Sequence, residues 1–223
     1  TAVVFQTPAA PTGAATQTYC ITGSPMLSDL VISGTAVKLY DMASGGNLLS
    51  PSSSAVNGST YYSTQTVNGC ESTARLAVTV AINTLPANPA ATSAMTSCAG
   101  TAAALSINGG GGGTGEVIRW YTSACGGTLV GSGNNLSVNP ATTTTYYGRY
   151  ETGAPCSANS ACQQTTLTVN PRPTATINTP PVSICAGVSV TLSGTVTATG
   201  AWTLTLNNNG GTVTCTGNGT WSK

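Results

Sequence analysis

Apolar and polar residues alternate with a period of two in short runs along the chain. "LAVTVAI" (residues 76–82), "TTLTVN" (165–170), "VSVTLSGTV" (188–196) and "WTLTLN" (202–207) are the clearest runs. Successive side chains of an extended strand face opposite ways, so each run presents one apolar and one polar face. The runs are rich in β-branched residues and are separated by Gly, Pro and Asn. "NNNGG" (207–211) reads as a hairpin turn, because Asn and Gly accept positive φ. The 3.6-residue period of a helix is hard to find. Many short strands at regular spacing predict an all-β fold of sandwich type.

The pattern repeats. "VKLYDMASGGNLL" pairs with "IRWYTSACGGTLV", so that Tyr40 matches Tyr121 and Gly45-Gly46 match Gly126-Gly127. Tyr61-Tyr62 match Tyr146-Tyr147, and Cys20 matches Cys98. The offset drifts because the second copy has longer loops, notably "NGGGGGTGE" (108–116). A third copy opens with "ICAGVSVTLSG", close to "SCAGTAAALSI", and reaches Lys223 before a Tyr-Tyr element appears. Proline-bearing connectors, "TPAAPTG", "TLPANPA" and "NPRPTA", mark the boundaries. The expected organisation is residues 1–7 as the final strand of a preceding domain, complete domains at 8–83 and 84–171, and a truncated third at 172–223. The chain then reads as an open-ended slice of a longer array.

Composition narrows the function. Only 5% of the residues are charged, histidine is absent and the net charge is +1. A nucleic-acid binder would carry a basic face, and none is present. No apolar run reaches the ~20 residues of a membrane helix. Without His there is no Ser-His-Asp or Cys-His arrangement. The five acids, Asp29, Asp41, Glu71, Glu116 and Glu151, are too scattered for a glycosidase pair or a calcium loop. "GGGGG" (109–113) lacks the Lys-Ser/Thr of a phosphate loop and reads as a flexible turn. The expectation is no enzyme, no cofactor and no metal. Eight cysteines without a CxxC spacing predict disulfides and an oxidising, extracellular compartment.

The order "PAAPTGAATQTYC … LYDMASGGNLL … NGSTYYSTQTVNGCESTARLAVTV" resembles the Ig-like repeats of very large secreted proteins of Bacteroidetes, flavobacteria especially. That pattern is a Cys, a WYD-like strand, a GG turn, a TYY strand, a GCES-type loop and a VTV strand. Leu39 departs from the usual Trp, and Trp120 keeps it. The resemblance implies tandem Ig-like β-sandwiches arranged as beads on a string in a cell-surface adhesin, gliding adhesins included, exported by type IX secretion.

In such a sandwich Trp120 is a core residue with Leu39 as its counterpart, while Arg119 and Tyr121 face the other way. Tyr62 and Tyr147 stand near where a tyrosine corner sits. Asp41 is placed to bind the backbone of a neighbouring turn. If Tyr40, Tyr61, Tyr121 and Tyr146 shared an exposed face they would make a platform for stacking sugars. An up-and-down tracing brings the cysteines to one end of each sandwich, predicting Cys20–Cys70, Cys98–Cys162 and Cys125–Cys156, with the partners of Cys185 and Cys215 unassigned. Two functions remain: a stalk or filament segment whose partners are surface polysaccharide or other copies of the same repeats, and a carbohydrate-binding module appended to a secreted polysaccharide-degrading enzyme.

Overall fold

The computed structural model describes residues 3–90, 94–178, 183–206 and 211–223. These residues form strands and loops, with 3-10 turns at Ile21–Gly23 and Leu27–Asp29. The first repeat contains β1 (Thr12–Gly13), β2 (Thr16–Cys20), β3 (Ile32–Ser33), β4 (Lys38–Tyr40), β5 (Leu48–Leu49), β6 (Thr60–Thr64), β7 (Thr66–Val67), β8 (Cys70–Glu71) and β9 (Leu76–Asn83). Its main sheet has the order β2-β9-β6-β4-β5, with β1-β3 and the β7-β8 hairpin beside it. The alternation of β9 is realised directly: Val78 and Val80 are fully buried on one face. They join Leu27, Leu30, Leu39, Ala55 and Tyr61 in the first core.

The second repeat contains β10 (Met95–Cys98), β11 (Ala103–Leu105), β12 (Val117–Thr122), β13 (Thr128–Ser132), β14 (Leu136–Val138), β15 (Thr144–Glu151) and β16 (Gln163–Asn170). Its main sheet, β10-β16-β15-β12-β13, has the topology of the first, and β11 pairs with β14. Trp120 is fully buried on β12 and its indole Nε1 donates to the Gly133 carbonyl at 3.0 Å. Leu39, its counterpart, lies in the first core.

In both repeats the cysteine-bearing strand, β2 or β10, runs parallel to the last, β9 or β16. Cys20 is opposite Asn83, and Cys98 is opposite Asn170. This pairing moves both cysteines to the end of the sheet where the chain leaves the repeat. An up-and-down tracing does not contain it.

The third region has β17 (Thr174–Ile177), β18 (Ser193–Thr197), β19 (Ala201–Leu206), β20 (Gly211–Thr216) and β21 (Gly219–Ser222). They form a β17-β18-β21 sheet and a β19-β20 pair around a small core of Val196, Trp202 and Trp221. The strand expected over 188–196 begins only at Ser193. Residues 207–210 of the expected hairpin turn lie outside the described residues. The chain forms two compact units. Residues 1–91, 107–119 and 148–163 form one, and residues 92–106, 120–147 and 164–223 form the other.

Candidate functional site

The proposed aromatic platform does not form. Tyr61, Tyr121 and Tyr146 are buried. Tyr61 belongs to the first core, and its hydroxyl accepts the Val56 N–H at 2.9 Å. This backward bond is that of a tyrosine corner, so Tyr61 fills the role that the sequence suggests for Tyr62. Burial pushes the phenol of Tyr146 above its usual pKa. Tyr121 is buried although it faces away from Trp120. Tyr40 is half-buried, and the Arg75 guanidinium lies 3.7 Å over its ring. That cation covers the face a sugar would need.

Around Tyr40 the exposed sheet face carries a small polar network. Glu71 accepts from the Lys38 ammonium at 2.6 Å, from Thr64 Oγ1 at 2.6 Å and from the Tyr40 hydroxyl at 2.7 Å. These bonds, Lys38 first, hold the Glu71 carboxyl at about 2. A carboxylate with a depressed folded pKa contributes stability that is full above its unfolded value and fades as pH falls toward the folded one. Glu71→Gln should therefore flatten the acid limb of the stability curve between roughly pH 4.5 and 2. Because Glu71 is a surface group, the loss at neutral pH should be about 1 kcal/mol or less, read by urea unfolding across pH. Asp41 does bind its turn: Oδ1 accepts the Asn47 N–H at 2.7 Å and Oδ2 accepts Asn47 Nδ2 at 2.9 Å. Among the described residues no group of His, Cys, Asp or Glu is arranged to hold a metal. No helix there is long and apolar enough to cross a membrane.

The distinctive construction is where the first repeat runs into the second. The connector after β9 lies along the glycine run of residues 109–113. Ala87 and Gly111 exchange both backbone hydrogen bonds, at 2.9 and 3.0 Å. Ala90 N–H donates to the Asn108 carbonyl at 3.0 Å, and Thr84 Oγ1 donates to the Gly112 carbonyl at 2.8 Å. The run is ordered, not a loose turn. Glu116 accepts the N–H groups of Gly112 at 3.0 Å and Gly113 at 2.8 Å, and the Tyr150 hydroxyl donates to the Gly109 carbonyl at 2.9 Å. The connector is held at its other side by Asn88, whose Oδ1 accepts the Ala161 N–H at 2.7 Å.

Glycine is required at Gly110 for two reasons. Its φ is +73°, and a Cβ there would overlap the Asn88 carbonyl group of the connector. Gly112, at +84°, faces open space. Gly110→Ala should therefore cost more than Gly112→Ala, which bears only the left-handed backbone penalty of about 1–2 kcal/mol. Faster proteolysis within residues 84–90 in the Gly110 variant alone is the expected readout, and equal rates would contradict the strap.

A disulfide completes the junction. Cys20, at the end of β2, is bonded to Cys156, in the hairpin that follows β15. Cys156 Sγ also lies 3.3 Å from the Asn83 carbonyl. The expected Cys20–Cys70 and Cys125–Cys156 bonds are thereby excluded. Cys98 is a free thiol, so Cys98–Cys162 is not formed either. Cys125 and Cys162 are disulfide-bonded, and Cys70 and Cys185 are free. The reason lies in the strand order. Cys20 is opposite the last residue of β9, whereas Cys70 precedes its first residue. Eight residues of strand span roughly 25 Å, far beyond the ~6 Å Cα separation of a disulfide. In the sequence, the signal was that Cys20 and Cys98 recur beside the connectors. Recurrence at repeat ends fits a bond between repeats as well as one within them.

Two β-sandwiches of common topology, joined by an ordered connector and a disulfide, define a tandem Ig-like protein with no catalytic constellation among the described residues. The profile of the family described as Ig-like domain CHU_C associated matches residues 8–83 and 86–171, and the chain belongs to that family. No curated protein matches it. Among solved structures it is similar to a three-Ig fragment of titin, an E-to-A variant of I67–I69, at 14% identity over 94% of this chain and 95% of that one, with a TM-score of 0.42. It is also similar to Dpr2 Ig1–Ig2 in complex with DIP-Theta Ig1–Ig3, at 12% identity over 92% of this chain and 81% of that one, with a TM-score of 0.42.

Proposed function

We propose that this chain is a non-catalytic segment of an extracellular bacterial surface protein, in which tandem Ig-like repeats form a stalk or filament that holds an adhesive surface away from the cell. The observation that supports it most is the junction: a hydrogen-bonded connector and a disulfide between the two repeats suit a segment that transmits load from one repeat to the next. The disulfides fit an oxidising exterior. The family resemblance suggests type IX export from a gliding bacterium, and the partners would be surface polysaccharide or neighbouring repeats of the same filament. The carbohydrate-module reading loses its motivation with the burial of Tyr61, Tyr121 and Tyr146 and the covering of Tyr40. Antibodies raised against residues 8–171 should label intact cells of the producing bacterium along extended surface structures. Labelling that requires permeabilised cells would overturn the reading.

A further inference from the structure

The Cys20–Cys156 bond has a rule in it. The donor stands at the end of the strand that runs parallel to the repeat's last strand, opposite that last strand's final residue. The receiver stands in the hairpin after the Tyr-Tyr strand of the next repeat. Each repeat described here carries both positions. In the first repeat, the hairpin cysteine is Cys70, on β8 opposite Val67. In the second, the parallel-strand cysteine is Cys98, opposite Asn170 as Cys20 is opposite Asn83. Both are free thiols, Cys98 exposed and Cys70 half-buried.

An independent contact places an incoming segment beside Cys70 as one lies beside Cys156. Cys156 Sγ lies against the carbonyl of Asn83, in the segment that leads into its repeat. Cys70 Sγ lies 4.0 Å from the carbonyl of Phe5, in the segment that leads into the first repeat. At both places the incoming chain passes the hairpin cysteine. We infer that Cys70 is the receiving half of an inter-repeat disulfide, whose donor is the parallel-strand cysteine of another Ig-like repeat on the same polypeptide, reached through the segment containing Phe5. Cys98 is the donating half of the same staple toward the hairpin cysteine of a further repeat. The inference rests on the reading of the chain as part of a repeat array. Its consequence is that the staples run in series, one per junction. Each bond forms by thiol–disulfide exchange: the two thiols give up two protons and two electrons, and a disulfide-bearing oxidant accepts them and becomes a dithiol.

The test is peptide mapping of the protein purified from its producing cells, with thiols alkylated before any reduction. The Cys70 peptide should appear joined to a peptide whose cysteine ends an alternating strand like "TQTYC". Reduction should release both peptides without lowering the mass of the polypeptide. A mass loss on reduction would place the donor on another chain and overturn the assignment. Cys70 recovered as an alkylated thiol, or joined to Cys98 or Cys185, would overturn the staple altogether. So would the absence of the Cys20–Cys156 peptide, since that bond is the template. Cys70→Ser should expose one new alkylatable thiol in the donor peptide while leaving Cys20–Cys156 intact. Should surface labelling succeed and Cys70 prove free, the staple alone fails; should labelling fail, the filament reading falls whatever the state of Cys70.

Discussion

Replacing Trp120 by alanine is expected to cost about 3–5 kcal/mol, the range for truncating a large buried aromatic. The side chain is fully buried on β12, a strand flanked on both sides by β15 and β13. Its loss leaves a cavity that the fixed neighbouring strands cannot close, and it orphans the Gly133 carbonyl that accepts the indole N–H. Small domains of this length have stabilities at the lower end of the usual 5–15 kcal/mol, so most of the second repeat's margin would go. Urea unfolding of the full chain should show the second-repeat transition shifted to low denaturant. Trp120→Phe retains most of the apolar area and loses one hydrogen bond, which predicts about 1–2 kcal/mol. An alanine variant with an unchanged midpoint would mean that Trp120 is not core. Leu39→Ala, in the equivalent place of the first repeat, should fall within about 2–5 kcal/mol for the same reason with fewer atoms removed.

The parts of this architecture that depend on local pattern were readable from the chain. Alternation placed β9 and β16, and the repeat placed Trp120 and Leu39 in corresponding positions. Asp41 could be tied to its turn because that bond spans only six residues. What could not be read depends on pairings between segments far apart. The parallel partnership of β2 with β9 decides where Cys20 sits, and nothing near Cys20 in the sequence encodes it. Period two gives each tyrosine a face but does not say whether that face is covered. Tyr40 owes its cover to Arg75, thirty-five residues later, and Tyr61 owes its burial to the first core that distant strands assemble. The glycine run reads as loose because glycine is flexible in isolation; its order comes from the connector and from Glu116. The same distance dependence separates the two kinds of error. Strand boundaries shifted by a few residues, whereas the disulfide pairing failed completely.

The Cys20→Ser/Cys156→Ser double variant is expected to destabilise both repeats, not one. The bond closes a loop of 136 residues, which includes most of the first repeat, the connector and most of the second. In the chain-entropy account a cross-link acts by restricting the unfolded chain. When the first repeat unfolds alone, the folded second repeat still holds Cys156 beside the connector. The unfolded stretch from Cys20 to Asn83 is then tethered at both ends, and closing about 60 residues corresponds to roughly 4 kcal/mol. The argument runs the other way when the second repeat unfolds first, over a stretch of similar length. Measured effects of disulfides are commonly 2–4 kcal/mol in total, so the two transitions should share about that much, the first to unfold taking most of it. Scanning calorimetry of the double variant should show both transitions moved to lower temperature, with Cys125 and Cys162 still oxidised. Reduction of the parent chain would not isolate the effect, since it also opens the bonds at Cys125 and Cys162. The hydrogen bonds of Ala87, Ala90 and Thr84 remain in the variant and keep the connector in place while both repeats are folded. The native junction should therefore look the same by hydrogen exchange at low temperature, and differ only where one repeat has begun to open. A shift confined to a single repeat would show that the staple belongs to that repeat's own fold and does not couple its neighbour.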